Sequence, residues 1–449
     1  MYGRAVLKAC QLLEKAMRRD NFLRYLSELD RSQYLPAEEI SSIQLVRLNA
    51  LLNHAYDNVP YYRKWFDEAG LRPNDIKSID DLVKLPILTK EDVRANFKEL
   101  IAVNFPRAKI LPYSTSGSTG EPLKFYITRE ANARRYANVY RAYKWYGYEM
   151  GDKIAYIWYP NKRGFMSRQI KNLRLGAFLG RIYLDPLNMS QAEMKRFVTR
   201  LKRFKPSLIL AYPTAAHILA DYIKSNNIKG LMPKAVITMG EMLLDYQRQA
   251  IRQAFGCEVF DSYGTRETGP IAHQCPGHAG YHIFAESLVL EFIKEGKAVP
   301  EGEMGKTVVT DLINYAMPFI RYEIGDLGVP ISEKCCYGIN LPLMKSIEGC
   351  IFDIIVTKDK IISSPGLHHI FNNFPINQYQ IVQEIENEIL VKIVKGDGYT
   401  ETTTENLLKL LQKHISKNVK FHIIFTEHIP RTPTGKHRYV ISKIPVGLK

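Results

Sequence analysis

The segment Tyr113-Ser-Thr-Ser-Gly-Ser-Thr-Gly-Glu-Pro122 concentrates hydroxyls and glycines: Ser114, Thr115, Ser116, Ser118 and Thr119 lie around Gly117 and Gly120. Glycine lets backbone amides face an anion closely, and each hydroxyl adds a donor, so this is the composition of a phosphate-binding turn. It is not a Walker A loop, because no Gly-Lys-Ser/Thr follows. A flexible Ser/Gly linker would share the composition. Against that reading stand the short length, the closing Pro122 and a run over 123–127 that predicts a strand.

Such a turn acts only if rigid elements hold other groups against it. Ser190-Gln-Ala-Glu193 reads as a capping box opening a helix that ends near Lys205-Pro206. Apolar runs at 207–210, 235–238 and 258–261 alternate with helical stretches at 215–225 and 243–255. That alternation predicts a parallel sheet covered on both faces, with ligands beyond the carboxyl ends of its strands. Gly240-Glu241 and Tyr263-Gly264 fall at such ends. Trp158, Tyr159, Tyr212 and Pro213 also close apolar runs, as walls of an acyl pocket (Tyr212 and Trp158) or as core. Residues up to about 97 read as helical, with turns at Asn58-Val59-Pro60 and Arg72-Pro73-Asn74. After Gly349 the pattern becomes a small α+β unit: strands at 378–385, 389–394 and 420–425, and a helix to His414 capped from Thr402. The expected class is therefore α/β, with a large unit over 1–348, mixed or parallel sheets covered by helices, and a small α+β unit over 349–449.

With 449 residues the chain exceeds one compact core, and 46% hydrophobic with 24% charged residues is an ordinary globular balance. No apolar run is long enough to span a bilayer, and the N-terminus lacks a signal-peptide pattern. It reads as a basic amphipathic helix with Val6, Leu7, Cys10, Leu13 and Met17 on one side, packed on its own domain or touching a membrane surface. Six scattered cysteines point to a reducing cytoplasm rather than a disulfide framework. The net charge of +16 suits phosphorylated small molecules; no dense basic block interleaved with aromatics supports nucleic-acid binding.

Thr115-Ser-Gly-Ser-Thr-Gly-Glu-Pro122 resembles the phosphate loop of the adenylate-forming superfamily, which includes acyl-CoA synthetases. In the superfamily's order, Asp261-Ser-Tyr-Gly-Thr-Arg-Glu267 resembles its adenine and magnesium motif, and Ile320-Arg-Tyr-Glu-Ile-Gly-Asp326 its ribose motif. Pro430-Arg-Thr-Pro-Thr-Gly-Lys436 resembles the segment carrying its catalytic lysine. Asn58-Val-Pro-Tyr-Tyr-Arg63 and Leu85-Pro-Ile-Leu-Thr-Lys90 are similar to the phenylacetate–CoA ligase family. Residues 354–364, with Thr357-Lys-Asp-Lys360, resemble a branch linked to capsular polysaccharide clusters.

The resemblance implies a cytoplasmic enzyme that activates a small carboxylic acid with ATP and Mg²⁺ to acyl-AMP, releases pyrophosphate, and transfers the acyl group to CoA or another acceptor. Two anions must meet, so positive charge and a metal are needed. Carried onto this sequence, Glu267 and Lys436 are the catalytic pair, Glu267 through Mg²⁺ and Lys436 at the α-phosphate. Residues Ser114, Thr115, Ser116, Gly117, Ser118, Thr119 and Gly120 hold the β- and γ-phosphates. Gly240, Glu241, Asp261, Ser262, Tyr263, Gly264 and Thr265 line the nucleotide, with Tyr263 on adenine and Asp326 accepting from the ribose hydroxyls. The C-terminal unit is then a mobile lid. Relatives also carry a structural zinc, whose ligand positions match Cys275, His282 and Cys335, with Cys336 beside the expected fourth position; buried free thiols are the alternative.

The hinge departs from the superfamily pattern. Gly349-Cys-Ile-Phe-Asp353 stands where Gly-Arg-x-Asp-Asp is usual, so Cys350 and Phe352 replace an arginine and an acid. Adenylation draws on the other motifs, whereas rotation to a thioester-forming state depends on this hinge. A sugar or amine acceptor in a capsule-type reaction, or a nucleotide-binding homologue impaired in catalysis, therefore stand beside CoA transfer. A homodimer and peripheral association with a membrane-linked polysaccharide pathway are left open.

Overall fold

The computed structural model describes residues 21–106, 110–115, 123–158, 180–348, 354–357, 360–363, 367, 370–371, 373–430 and 439–444. The N-terminal helix expected before residue 21 lies outside them.

Strands Arg181–Leu184, Ile154–Ile157, Leu208–Ala211, Ala235–Met239 and Glu258–Thr265 lie side by side, all parallel. Leu208–Ala211 is buried along its whole length, as a strand covered on both faces must be. The helices between them are those the sequence pattern anticipates. Gln191–Phe204 is capped by Ser190, whose hydroxyl accepts from the Glu193 N–H, and stops at Lys205 in the left-handed region before Pro206. Pro213–Ser225 begins with proline in its first turn, and Asp245–Phe255 ends on Gly256 at φ +64°.

Beyond Glu258–Thr265 the same sheet continues antiparallel through Gly269–Gln274, Tyr281–Ile283, Leu343–Glu348, Tyr322–Ile331, Gly305–Asp311 and Leu288–Lys294 to the short edge Lys297–Ala298. Sheet twist accumulates over such a width. Here it brings Tyr322–Ile331 back over Glu258–Thr265: Tyr263 and Asp326 share a hydrogen bond although three strands separate theirs in the sheet.

The helical N-terminal region consists of Phe22–Ser32, Ala37–Asn58, Pro60–Glu68 and Lys90–Ala95, with short 3₁₀ helices at Pro73–Asp75 and Asp80–Lys84. Pro60 opens its helix at the predicted turn. Helix Ala37–Asn58 packs Leu48, Leu51 and Leu52 into the core that also holds Tyr263 and Tyr322.

Toward the C-terminus, Ile376–Ile385 and Glu388–Lys395 pair antiparallel, and Lys420–Phe425 and Val440–Ser442 add parallel strands on the two sides. The helix Glu401–His414 is capped by Thr400, not Thr402; the Thr400 hydroxyl accepts from the Thr403 N–H. Thr400, Thr402, Thr403 and Thr404 offer the same cap chemistry, and the extended backbone at Thr400 selects among them. Between the units, Lys360–Ser363 pairs with Met189–Ser190, so the chain just past 349 adds strands against the larger unit.

Candidate functional site

Strands Ile110–Ser114 and Lys124–Thr128 form a two-stranded antiparallel hairpin. Thr115 closes its neck: its N–H donates to the Leu123 carbonyl at 2.9 Å, and its Oγ1 accepts from the Leu123 N–H at 2.9 Å. Ser114 and Thr115 thus stand at the base of the Ser/Gly turn. Ser116, Gly117, Ser118, Thr119 and Gly120 lie outside the described residues. Asn314 pins the hairpin's far end, donating to the Tyr126 carbonyl at 2.9 Å and accepting from the Thr128 N–H at 3.3 Å.

Trp158, Tyr212 and Gly240-Glu241 each follow the carboxyl end of one of three adjacent parallel strands. The Trp158 and Tyr212 rings stack at 3.9 Å with planes 10° apart. Gly240 sits at φ +84°, and a Cβ there would come within 3.0 Å of the Tyr212 ring. Backbone and stack both require glycine at this position. Glu241 turns back so that one carboxylate oxygen accepts from the Thr214 N–H at 3.0 Å, in the first turn of Pro213–Ser225. Its other oxygen is buried without a partner. Loss of water pushes the Glu241 carboxyl up to about 7, against the opposing pull of Thr214.

The carboxyl end of Glu258–Thr265 carries the densest arrangement. Asp261 accepts from the Thr238 hydroxyl at 2.6 Å and the Tyr281 hydroxyl at 2.8 Å. Tyr263 donates to Asp326 at 2.9 Å. Glu267 lies in the turn between Glu258–Thr265 and Gly269–Gln274 and accepts from the Tyr322 hydroxyl at 3.2 Å. Thr265 stabilises that turn by accepting from the Thr268 N–H at 3.1 Å. Two tyrosine–carboxylate pairs therefore join this strand and its turn to Tyr322–Ile331, with donor and carboxylate exchanged between the pairs.

Burial raises the Asp261 carboxyl from its ordinary 3.8 to about 6, with Thr238 and Tyr281 opposing. The folded pKa exceeds the unfolded one, so the group's favourable contribution is complete below about pH 4 and is lost as pH rises through 6. Asp261→Asn is therefore expected to remove a loss of roughly 3 kcal/mol accrued across that window. Urea unfolding of both proteins from pH 4 to 7 checks it; equal slopes would refute the assignment.

Cys275, His282 and Cys335 place their ligand atoms within 4.8 Å of one another. The Cys275 and Cys335 sulfurs are 3.3 Å apart. His282 Nδ1 faces the Leu341 carbonyl at 3.3 Å, leaving Nε2 buried without a partner. A main-chain N–H from Tyr337 reaches the Cys335 sulfur at 3.3 Å, and the N–H groups of Gly277 and His278 act on the Cys275 sulfur. Cys336 is exposed and outside the cluster; its sulfur lies across Gly277, 2.9 Å from where a Cβ would stand. Adjacent cysteines cannot both turn inward without strain. His278 instead stacks on Phe260.

Sequence reasoning missed three supports. Tyr322 lies inside the ribose-like motif with nothing local to mark its role, Asn314 has no local signal, and Arg135 is a buried arginine on the polar-looking helix Arg129–Trp145. Arg321, in the same motif, makes a bidentate pair with Glu291 and serves the scaffold. Lys436 and the hinge residues Cys350, Phe352 and Asp353 lie outside the described residues. A surface cavity of about 660 Å³ lined by Arg63, Lys64 and Val103 shares no residue with this site.

The CapK C-terminal domain family matches residues 354–443. Protein CapK of Staphylococcus aureus is 25% identical over 452 residues, 94% of this chain and 92% of that protein. A phenylacetate-coenzyme A ligase of Pseudomonas putida is 31% identical over 310 residues, 67% of this chain and 68% of the ligase. A crystal structure of 2-hydroxyisobutyryl-CoA ligase, in complex with 2-HIB-AMP and CoA in the thioesterification state, superposes with a TM-score of 0.63. It has 23% identity and covers 91% of this chain and 90% of that one.

Proposed function

Because the chain belongs to the phenylacetate–CoA ligase family of adenylate-forming enzymes, we propose that it couples a small carboxylic acid to ATP, releasing pyrophosphate, and passes the acyl group from acyl-AMP to CoA. The reaction belongs in the cytoplasm, where both cosubstrates are at hand; among the described residues no helix is long and apolar enough to cross a membrane.

The observation that carries the proposal is the convergence of Tyr263 with Asp326 and of Glu267 with Tyr322. Residues from separate stretches of chain meet beside the hairpin that bears the Ser/Gly turn. In this reading Tyr263 offers its ring to adenine, and Asp326 receives the ribose hydroxyls in exchange for the Tyr263 hydroxyl. Gly240-Glu241, with Asp261, Ser262, Gly264 and Thr265, borders the nucleotide. The Trp158–Tyr212 stack walls the acyl side. Ser114 to Gly120 hold the outer phosphates, and Lys436, from the C-terminal segment, neutralises charge on the α-phosphate.

Glu267 fits a hard cation: its carboxylate is buried, is held by one hydroxyl, and keeps an oxygen that accepts from none of the described residues. Mg²⁺ held there would supply charge neutralisation of the triphosphate. Cys275, His282 and Cys335 likewise fit zinc, since the orphaned Nε2 of His282 and two main-chain-supported sulfurs supply three of the four donors that a structural site takes.

Carboxylate-dependent exchange of labelled pyrophosphate into ATP tests the first half-reaction across an acid library. Tight ATP binding with no exchange for any acid would favour the impaired-homologue reading instead. The altered hinge at Cys350 and Phe352 favours a second reading, transfer to a sugar or amine; acyl-AMP formation with no thioester on adding CoA would select it.

Asp326→Asn is expected to raise the KM for ATP by roughly tenfold, because an amide accepts at one atom only and leaves the Tyr263 hydroxyl competing for it. Tyr263→Phe, which removes the competitor, is expected to move KM by under about threefold. An Asn variant with unchanged KM would sink the ribose assignment.

A further inference from the structure

We infer that Arg135 is a positioning residue that locks the phosphate hairpin and the Glu267 turn into one register, and so sets the metal affinity of Glu267. The inference rests on the metal role proposed for Glu267.

Arg135 lies two turns into Arg129–Trp145, the helix that follows directly from hairpin strand Lys124–Thr128. One guanidinium nitrogen donates both to the main-chain carbonyl of Glu267, at 2.6 Å, and to Asp311 Oδ2, at 2.8 Å. The ion pair is almost wholly buried, with side chains 8% and 2% exposed. Gly269, at the far end of the Glu267 turn, makes room for it: a Cβ there would lie 2.6 Å from Arg135 Cδ. The turn is thus clasped through its carbonyl on one side and through a missing side chain on the other.

Asp311 belongs to a corner that serves both partners. Its second oxygen accepts from the Ile313 N–H at 3.2 Å, and Asn314, just beyond, holds Tyr126 and Thr128 of the hairpin. One corner, Asp311 to Asn314, therefore fixes the hairpin directly and the Glu267 turn through Arg135. A buried ion pair is a poor device for stability, because desolvation offsets its attraction; an apolar pair of similar volume commonly does as well. What the apolar pair lacks is a donor aimed at the Glu267 carbonyl. Arg135 keeps its guanidinium Nε buried and unpartnered, a further cost that packing alone does not explain.

The test uses the full-length protein, α,β-methylene-ATP and Mn²⁺, with free Mn²⁺ read by electron paramagnetic resonance. The double variant Arg135→Met/Asp311→Leu replaces the buried pair by apolar groups and is expected to keep its unfolding midpoint within a few degrees. Its Mn²⁺ Kd should rise about tenfold, the usual size of an outer-shell loss. Binding of the nucleotide without metal should stay unchanged, which a general loosening of the fold would not allow. Should the double variant not fold, Arg135→Lys keeps the buried charge opposite Asp311 and is expected to weaken Mn²⁺ by about threefold, since the shorter lysine sets its nitrogen back from the two acceptors that one guanidinium nitrogen reaches. Wild-type Mn²⁺ affinity in the folded variant overturns the inference. Glu267→Gln, run alongside, separates the two claims: unchanged Mn²⁺ affinity there removes the metal role of Glu267 itself.

Discussion

Replacing Glu267 by glutamine is expected to lower acid-dependent ATP–pyrophosphate exchange by roughly 10²–10³-fold, with little change in unfolding midpoint. The substitution keeps the shape, and an amide oxygen can still accept the Tyr322 hydroxyl that meets Glu267 at 3.2 Å. The fold therefore loses little. What disappears is a full negative charge at a buried position, 5% exposed, where a cation opposite the triphosphate would be held far more strongly than in water. Tyr322→Phe tests the same geometry more gently. It leaves the charge and removes only the donor that orients it, so a loss of about three- to tenfold is expected, at the size of one hydrogen bond to a charged group. Exchange assays over a range of Mg²⁺ concentrations read both variants. A glutamine variant as fast as the parent at low Mg²⁺ would end the assignment of Glu267.

The second large effect concerns the Cys275, His282 and Cys335 cluster. Cys275→Ser is expected to abolish bound zinc, measured by elemental analysis, and to lower the unfolding midpoint by roughly 10 °C. The reason lies in what the apo cluster leaves unpaired. His282 Nε2 is buried without a partner, and burial holds its imidazole neutral down to about 4. Such an atom is costly unless something accepts its lone pair. The 3.3 Å sulfur contact is too long for a disulfide and close enough for a shared ligand. The consequences reach the nucleotide side, because Tyr281, beside His282 on the same strand, donates to Asp261. Cys336→Ser, outside the cluster and exposed, should leave both zinc and midpoint unchanged. A metal-free parent whose midpoint survives Cys275→Ser would return these residues to the role of packed thiols.

Much of the larger unit was legible because its signals are local. Ser190, Pro206, Pro213 and Gly256 bracket helices by cap chemistry, and the apolar runs at 208–211 and 235–239 can be read without knowing their neighbours. The Thr400 cap shows where local reading slips: several residues with equivalent side chains compete, and backbone geometry decides. Cys336 shows a sharper limit. In sequence it is as good a ligand as Cys335, yet it is exposed, and only Cys335 joins Cys275 and His282 in the group whose ligand atoms all lie within 4.8 Å of one another.

The sequence alone determined the kinds of group available and the elements that carry them: a hydroxyl-rich turn after a strand, carboxylates and aromatics at strand ends, cysteines near a histidine. It could do so because composition, capping and periodicity act within a few residues. The tertiary structure alone decided which distant groups meet. The curl of one wide sheet sets Tyr263 against Asp326 and Tyr322 against Glu267. Arg135, on a helix whose pattern marks it as surface, is buried under the Glu267 turn because Gly269 leaves it the space. Contacts of that range depend on how elements stack, and no local pattern along the chain encodes them.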